Sequence, residues 1–272
     1  MKILLSCVNY NSYKELIDYL LSIEKSFMLC NGSIDLTVLV GDNSEICKMD
    51  LDTDFVSFEL KYIFNKSNLG YIGGVSRALM QSDLSIKDYD IFIISNVDLL
   101  LSESFFLNML SLKITDKIGW IAPSILSEIE KRDRNPKILK RPSRKKMLVT
   151  QLMFKIPILR YLYSKTIYYY KSKRIPSNYD SSKIYAGHGS FMIFTSNAIS
   201  ANINFEFPSF LFGEEIYYAE LLLEKSLNVI YSPELQVVDL DHVSTSKMKR
   251  SDYCKMNYRS LKVITKLFFD YE

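Results

Sequence analysis

The sequence predicts an α/β fold with a mostly parallel central sheet and helices on both of its faces. Short apolar runs, typical of buried strands, alternate with stretches whose apolar residues recur at helical spacing. This alternation favours a parallel sheet, because parallel strands need crossover connections. Polar clusters follow several of the runs, and ligand sites of α/β proteins lie at the carboxyl ends of such strands. We therefore expect one site at that edge of the sheet.

The individual elements follow from local patterns. Residues 2–8 are predicted to form the first strand, and Ser12 is expected to cap the helix after it. The further predicted strands are residues 34–40, 58–64, 91–94, 118–123, 229–231 and 235–240, and the alternation resumes after a break with residues 184–194. The further predicted helices are residues 70–80, 102–112, 214–227 and an amphipathic tail at 251–271.

A basic segment interrupts the alternation. Residues 131–174 contain fifteen Lys or Arg and a single acid, although the net charge of the chain is only +3. From residue 141 onward the cations interleave with apolar and aromatic side chains, which is typical of an amphipathic helix on an anionic membrane surface. A solvated helical insertion or a contact between subunits of an oligomer would have the same pattern, so these alternatives stay open.

Composition argues against several classes of protein. The four cysteines are scattered and form no CxxC pair, so we expect neither a disulfide framework nor a zinc site. No run of about 18 uncharged apolar residues is present to span a membrane, and the apolar start is too short for a signal peptide. No recognised nucleic-acid motif accompanies the basic segment, so we expect no nucleic acid partner. The expected location is cytoplasmic, peripheral at the inner face of the cell membrane.

Four polar clusters and a late histidine carry the functional prediction. Each cluster follows, or lies close to, a predicted strand. The segments are Val8-Asn9-Tyr10-Asn11, Gly41-Asp42-Asn43-Ser44, Asn96-Val97-Asp98 and Gly213-Glu214-Glu215, and His242 comes after them. Their order suggests a site that binds a nucleotide diphosphate and a metal and carries a base.

These segments resemble the motifs of family-2 glycosyltransferases with the GT-A fold. The resemblance is to bacterial enzymes of O-antigen and capsular polysaccharide synthesis, especially the rhamnosyltransferase-like branch. It implies a GT-A catalytic domain over residues 1–247 with a basic helical insertion at about 127–182, and a helical tail at 248–272. The matching elements are Tyr10-Asn11, Asp42-Asn43-Ser44, Asn68-Leu69-Gly70-Tyr71-Ile72-Gly73-Gly74, Asn96-Val97-Asp98, Glu214-Glu215, and His242 with Ser246.

The chain departs from the family pattern at three positions. Val97 replaces the proline of Asn-Pro-Asp, and Ser76 stands where the family often has Asn. Both changes leave the acidic groups in place. Glu215 replaces the Asp of Glu-Asp and is one methylene longer, which leaves open whether Glu214 or Glu215 is the base.

The resemblance implies a nucleotide-diphosphate sugar as donor. Asp42 would bond the base or ribose, and Tyr10 and Asn11 would line the nucleobase pocket; ordinary turn chemistry at Asp42 and a core position for Tyr10 are the alternatives. The glycines of the third motif would let the backbone approach the ligand closely. The remaining residues assigned to the donor are Asn68, Gly70, Gly73, Gly74, Arg77 and Asn96.

Asp98 and His242 are the candidate metal ligands. Sugar transfer builds negative charge on the leaving diphosphate, and a divalent cation stabilises that charge as a Lewis acid. Mn²⁺ or Mg²⁺ suits carboxylate and phosphate oxygens. A helix-terminal acid at Asp98 and a turn-capping role for His242 are the structural alternatives.

The base would be Glu215, with Glu214 structural or in contact with the acceptor. Two acids at a helix start also favour the helix dipole, which is the alternative role for this pair. One base and one displacement would invert the anomeric centre. Gly187, His188 and Gly189 would contact the donor sugar or the acceptor, which in such enzymes is often a lipid-linked oligosaccharide.

Two other functions compete with this hypothesis. Nucleotidyl transfer to a sugar phosphate would need a Gly-rich basic signature after the first strand, and residues 9–12 lack it. A catalytically inactive, membrane-associated module that binds nucleotide sugars is the second alternative. The acidic residues and His242 argue against it.

Overall fold

The computed structural model describes residues 1–48, 57–156, 158, 182–240 and 248–270. The strands are β1 Lys2–Asn9, β2 Asp35–Asp42, β3 Glu59–Phe64, β4 Ile91–Asn96, β5 Leu99–Leu101, β6 Ile118–Ser127, β7 Ser182–Ile184, β8 Phe191–Thr195 and β9 Asn228–Asp239. The helices are α1 Tyr13–Met28, α2 Tyr71–Gln81, α3 Phe105–Ser111, α4 Arg144–Lys155, α5 Ser196–Ser200, α6 Glu214–Glu224 and α7 Arg250–Phe268.

The described strands form one sheet in the order β3-β2-β1-β4-β8-β6-β9-β5, and β7 pairs with β9 beside this path. β1, β2, β3 and β4 run parallel, as do β6 and β9. β8 is antiparallel to both of its neighbours, and the short strands β5 and β7 are antiparallel to β9. The longest pairings are parallel, so the prediction of a largely parallel α/β sheet is confirmed.

Apolar side chains of the central strands alternate between two cores. In β1, Leu5 faces the core beneath α1 and α3, whereas Leu4 faces the core beneath α2, α5 and α6. Ile93 and Phe92 of β4 divide in the same way. Both faces of a strand that is covered on two sides must be apolar, which explains why these strands read as continuous apolar runs. The predicted helical cover on both faces is confirmed.

Several local predictions were wrong. The Ser12 hydroxyl does not cap α1 and instead donates to the Tyr10 carbonyl oxygen at 3.3 Å. β5 precedes α3, so the helix predicted at 102–112 spans only Phe105–Ser111. The two strands predicted at 229–231 and 235–240 are one strand, because β9 continues through an irregularity in its pairing with β6.

The basic segment is helical only in part. Residues 128–143 contain no helix and return to the sheet through an isolated bridge between Ile138 and Ala186. α4 then begins at Arg144, where the Ser143 hydroxyl caps the helix by accepting from the Lys146 amide. The second half of the segment, with its break at Pro157, lies outside the described residues.

The tail helix α7 packs against α4 and against the start of α6. Phe154 of α4 and Tyr253 of α7 lie 6.1 Å apart between ring centroids. The prediction of an amphipathic helix is confirmed, since Leu261 and Ile264 are buried and Leu267 is 49% exposed. Within the described part of the chain, no helix combines the length and apolar character needed to cross a bilayer.

Candidate functional site

The carboxyl ends of the parallel strands meet at one edge of the sheet. Asn9 at the end of β1 lies beside Asp42 at the end of β2, and Val8 lies beside Asn96 at the end of β4. A cavity of about 850 Å³ opens above this edge, a size typical of small-molecule sites. Its wall combines residues that follow strands with residues at the start of α6 and from α7.

Pairing of β5 with β9 brings two aspartates together. Leu99 pairs with Asp239, and the Leu240 amide donates to the Asp98 carbonyl oxygen at 3.1 Å. Asp98 is 8% exposed, and both carboxylates line the cavity. Burial, followed by the charge of Asp239, raises the pKa of Asp98 to about 6. Burial also raises the pKa of Asp239. This end of the cavity therefore concentrates negative charge.

Arg134 partly balances that charge. Its Nη1 lies 2.5 Å from Asp239 Oδ2, and its side chain also lines the cavity. The guanidinium lowers the pKa of both aspartates, against the larger effect of burial. Asp239 is thus already paired with a cation. Asp98 has no such ion pair among the described residues, so its carboxylate would gain more from a bound metal ion.

The donor set at this end suits a hard divalent cation. Asp98 offers carboxylate oxygens in a poorly solvated position, and Mg²⁺ and Mn²⁺ typically combine one or two carboxylates with substrate phosphates. Among the described residues, no group of three or more His, Cys, Asp or Glu side chains forms a complete cage. The second predicted ligand, His242, lies outside the described residues, as does Ser246.

The turn before α6 presents the two glutamates. Phe212 and Gly213 both have positive φ, at 73° and 90°, and this reverses the chain so that the Phe212 amide donates to Glu214 Oε1 at 2.8 Å. Ser260 of α7 donates from its hydroxyl to the Phe212 carbonyl oxygen. A Cβ on Gly213 would meet Ile264 of α7 at 2.7 Å. Helix α7 therefore packs directly on the turn that orients the acids.

Glu214 and Glu215 have different environments. Glu214 is 6% exposed, whereas Glu215 is half-buried, and both line the cavity. Burial, followed by the charge of Glu215, raises the pKa of Glu214 to about 8. At neutral pH Glu214 is therefore mainly protonated. Its neutral carboxyl group can donate a hydrogen bond, and the carboxylate of Glu215 is the group that can accept a proton.

The loop between β7 and β8 forms the wall beside Glu215. A Cβ on Gly189 would meet Glu215 Cγ at 3.4 Å, so the absence of a side chain allows the carboxylate to approach. His188 Nδ1 accepts from the Ser190 amide at 3.2 Å, which places the proton of the neutral ring on Nε2. Burial, followed by the charges of Lys137 and Arg134, lowers the pKa of His188 well below its ordinary value. His188 thus faces the cavity as a neutral donor.

The structure brings most of the predicted site residues to this one cavity. Tyr10 is 37% exposed on its wall, so it is not a core residue. Gly70 has φ of 76°, and a Cβ there would collide with the Phe210 carbonyl oxygen, so glycine permits a close approach of two segments of the wall. The predicted residues that line the cavity are Tyr10, Asn68, Gly70, Asn96, Asp98, His188, Gly189, Glu214 and Glu215.

Asp42 lies beneath the cavity instead of on its wall. It is fully buried, and Asn9 Nδ2, the Ser44 amide and the Ser44 hydroxyl donate to its Oδ1. The hydroxyls of Tyr13 and Tyr62 donate to its Oδ2. All of its acceptor capacity is used within the protein. The alternative of turn chemistry describes this residue better than direct contact with a nucleotide.

Five other predicted residues are also absent from the cavity wall that the described residues form. Asn11 is exposed, and its amide donates to Ser44 Oγ at 2.9 Å. Gly74 packs on the Asn43 side chain, since a Cβ there would meet Nδ2 at 2.7 Å. Arg77 is exposed on α2. The full set is Asn11, Gly73, Gly74, Arg77 and Gly187, of which Gly187 packs against Trp120 and Ala122.

Comparison with known proteins identifies the fold. Neither a protein-family model nor a curated protein sequence matches the chain. The crystal structure of GalNAc-T7 with UDP, GalNAc and Mn²⁺ is similar with a TM-score of 0.61 at 9% identity, covering 99% of this chain and 48% of that one. The crystal structure of S. aureus TarS residues 1–349 is similar with a TM-score of 0.51 at 11% identity, covering 88% and 60%. The chain has the GT-A fold.

The chain spans about half the length of these GT-A neighbours: a second TarS structure is covered over 41% of its length, with a TM-score of 0.52 at 11% identity. At identities this low the similarity defines the fold alone.

Sequence reasoning missed several residues of the GT-A cavity. Asp239 ends a strand, which is the same signal that identified Asp98, but it was included in a predicted strand without a role. Arg134 and Lys137 belong to the basic segment, and nothing in the local sequence distinguishes them from its other cations. Three residues of the tail helix also line the cavity: Tyr253, Met256 and Asn257.

Proposed function

We propose that this protein is an inverting, metal-dependent glycosyltransferase that moves a sugar from a nucleotide-diphosphate donor to a hydroxyl of an acceptor saccharide. The observation that carries the proposal is that Asp98 and Glu215 line the same cavity. One bound sugar can then have its leaving group at the Asp98 end and its attacking hydroxyl at the Glu215 end. Separate crevices for the two carboxylates would have excluded the reaction.

The Asp98 end suits the leaving diphosphate. A divalent cation, Mn²⁺ or Mg²⁺, would be held by Asp98 together with phosphate oxygens and would supply Lewis-acid stabilisation of the leaving group. Arg134, which is paired with Asp239 and acts on Asp98, contributes a fixed positive charge. Asn68 and Asn96 offer amide groups from the same wall. Tyr10 presents an exposed aromatic ring on which a nucleobase can stack.

The Glu215 end suits the attacking hydroxyl. The ionised carboxylate takes the hydroxyl proton as the acceptor oxygen attacks C1 of the sugar, and the bond between C1 and the diphosphate oxygen breaks. A single displacement of this kind inverts the anomeric centre. Glu214 is neutral below about pH 8, so it adds no second negative charge beside the base. His188 Nε2–H is available to the bound saccharide.

The fold comparison supports the donor class. GalNAc-T7 was crystallised with UDP, GalNAc and Mn²⁺, so this architecture accommodates a nucleotide and a divalent cation together. The proposed acceptor is a lipid-linked oligosaccharide of bacterial O-antigen or capsule synthesis, and the proposed donor carries a hexosyl or deoxyhexosyl group. Support for these finer assignments comes from the sequence motifs.

A peripheral position at the cell membrane forms part of the proposal. One face of α4 exposes Leu148, Val149 and Leu152, and Ile156 follows directly after the helix; we refer to these four residues as the α4 stripe. These positions recur at helical spacing, and exposed lysines at 145, 146 and 155 accompany them. An apolar stripe with flanking cations is complementary to an anionic lipid surface. Such a surface would bring a lipid-linked acceptor close to the cavity.

The substitution Glu215→Gln tests the proposed reaction. Nucleoside diphosphate release from a panel of nucleotide sugars with Mn²⁺ identifies a donor for the wild-type protein. The variant is expected to lose about a hundredfold or more of the transfer rate, while its donor affinity by calorimetry stays within about twofold. Glu224→Gln, at the exposed end of the same helix, serves as the matched control. Transfer at the wild-type rate by Glu215→Gln would refute the base assignment.

A further inference from the structure

The cavity wall contains a cation, Lys137, that has no role in the reaction proposed above. Lys137 lines the cavity with an exposed side chain. Among the described residues, no hydrogen bond or ion pair to its ammonium group is found, in contrast to Arg134, which is paired with Asp239. A cation without an acidic neighbour in the wall of a ligand cavity is available to an anionic ligand.

The loop that carries Lys137 is firmly anchored. The Asn135 amide donates to Asp133 Oδ1 at 2.8 Å, and Asn135 Nδ2 donates to the Pro123 carbonyl oxygen at 2.7 Å. The Ile138 amide donates to the Ala186 carbonyl oxygen at 3.0 Å. Because anchors lie on both sides of Lys137, its backbone has a fixed position in the wall.

The same loop is joined to His188. The His188 amide donates to Asn135 Oδ1 at 2.8 Å, so the two loops keep a constant separation. No described residue accepts a hydrogen bond from His188 Nε2, which carries the ring proton. Lys137 and His188 both line the cavity, and the charge of Lys137 lowers the pKa of His188, after the larger effect of burial. The wall thus presents an ammonium group and an N–H donor on two loops that are bonded to each other.

His188 lies close to the proposed base, because Gly189, the next residue, abuts Glu215. Lys137 lines the same cavity as Glu215 and Asp98. A saccharide bound between Asp98 and Glu215 therefore shares the cavity with Lys137 and His188.

We propose that Lys137 and His188 form a subsite for an anionic substituent, a carboxylate or a phosphate, on the donor sugar or on the acceptor saccharide. The identification of the ligand as a saccharide rests on the proposed function. The ammonium group of Lys137 would attract the anion, and the Nε2–H group of His188 would fix its orientation through a hydrogen bond. Hydrogen bonds that involve charged groups are stronger than those between neutral groups. The substrate would then be an acidic or phosphorylated sugar, and Lys137 would be a specificity-determining residue.

Imidazole NMR tests the subsite without any need for turnover. The chain contains only two histidines, so ¹⁵N signals of the rings are assigned with a His188→Gln variant. Glucuronate and methyl phosphate are titrated at constant ionic strength, with glucose as the neutral control. We expect both anions, but not glucose, to shift the His188 signals. Lys137→Met should weaken that binding by about tenfold or more, whereas the exposed Lys140→Met should not.

A second arm separates the source of the anion. UDP-glucose and UDP-glucuronate, which differ by one carboxylate, are compared by calorimetry with Mn²⁺. If the wild type binds UDP-glucuronate more tightly than UDP-glucose and Lys137→Met abolishes that difference, the anion belongs to the donor. If the wild type binds both nucleotides equally and His188 still responds to the free anions, the anion belongs to the acceptor. Two results overturn the subsite. One is the absence of any His188 response to either anion. The other is a loss of affinity for UDP in Lys137→Met that equals its loss of affinity for the free anions, which would make Lys137 a diphosphate ligand. Anion binding in a protein that transfers no sugar would refute the proposed function and retain the subsite.

Discussion

Adjacent glutamates at the start of α6 illustrate how position on a helix sets protonation. Glu214 turns back under the Phe212 amide and is buried, whereas Glu215 faces Gly189 and keeps access to the cavity. Burial penalises the charged form, and the charge of Glu215 adds to that penalty at Glu214. The division of roles between the two acids therefore follows from one residue of separation along the helix.

The raised pKa of Glu214 predicts a pH-dependent stability. Because the folded chain binds this proton more tightly than the unfolded chain, the contribution to stability is fully present below about pH 4.5 and is lost as the pH rises through about 8. Glu214→Gln remains neutral and avoids the loss. Its Tm relative to the wild type should rise by about 5 °C or more between pH 5 and pH 9 by calorimetry. A constant difference in Tm over that range would show that Glu214 is not a buried carboxyl with a raised pKa.

Asp98 should combine a functional benefit with a cost in stability. Its carboxylate is nearly buried beside Asp239, and its pKa of about 6 leaves it ionised at pH 7.5. Asp98→Asn removes that charge, so we expect a higher Tm without metal and at least a hundredfold lower transfer. Mn²⁺ should raise the Tm of the wild type and not that of the variant. Asp88→Asn, at an exposed position, is the control; an equal Mn²⁺ response in Asp98→Asn would exclude Asp98 as the ligand.

At the scale of elements, one partly buried ion pair joins the basic segment to helices α6 and α7. Arg141 Nε and Nη2 donate to Glu220 Oε1 and Oε2 at 2.8 and 2.9 Å. The Tyr185 hydroxyl donates to Glu220 as well, and Arg141 donates to the Phe268 carbonyl oxygen at 3.2 Å. Its guanidinium also lies 4.5 Å from the Phe269 ring centroid. Arg141 is thus a structural cation and not part of a membrane-facing surface.

Removing one partner of this pair should be costly. Glu220 is 3% exposed, so Arg141→Met leaves a buried carboxylate without its cation, and the free energy of unfolding should fall by about 3–5 kcal/mol. Adding Glu220→Gln should recover part of that loss, since the uncompensated charge is then gone. Urea unfolding of the two single variants and the double variant measures the coupling. If Arg141→Met costs less than about 1 kcal/mol, the pair does not fix the segment to α6.

The sequence predicts elements best where one physical signal dominates. The buried strands β1, β2 and β4 are continuous apolar runs, and their polar ends converge because parallel strands share one carboxyl edge. β5 and the continuity of β9 were not predictable in this way, since the pairing of the two strands is a long-range contact that brings Asp239 to Asp98. The same limit applies to Asp42, whose burial depends on hydroxyls of Tyr13 and Tyr62 that come from different elements.

At the scale of the whole molecule, the basic segment divides into parts with different roles. Residues 133–138 contribute Arg134 and Lys137 to the cavity, and Arg141 anchors the segment to α6. Helix α4 turns one face away from the protein: Met147 is 2% exposed, and Gln151 Nε2 donates to Thr265 Oγ1 at 2.5 Å on its packed side. The local sequence pattern could not separate these roles, because the cations are similar and only the tertiary fold decides which of them meet acids.

The α4 stripe predicts reversible binding to anionic vesicles. Leu148 and Leu152 are 42% and 49% exposed, and transferring both into the lipid interface adds to the attraction of the neighbouring lysines. In sedimentation with phosphatidylglycerol-containing vesicles, Leu148→Ser/Leu152→Ser should lower the partition coefficient by about tenfold or more. Leu21→Ser/Leu107→Ser, at residues that are 42% and 39% exposed on helices of the opposite face of the sheet, is the matched control. Binding should also weaken as salt screens the lysines. Equal partition of both double variants would show that the stripe does not face a membrane, because the two pairs expose similar apolar area and differ mainly in where that area lies.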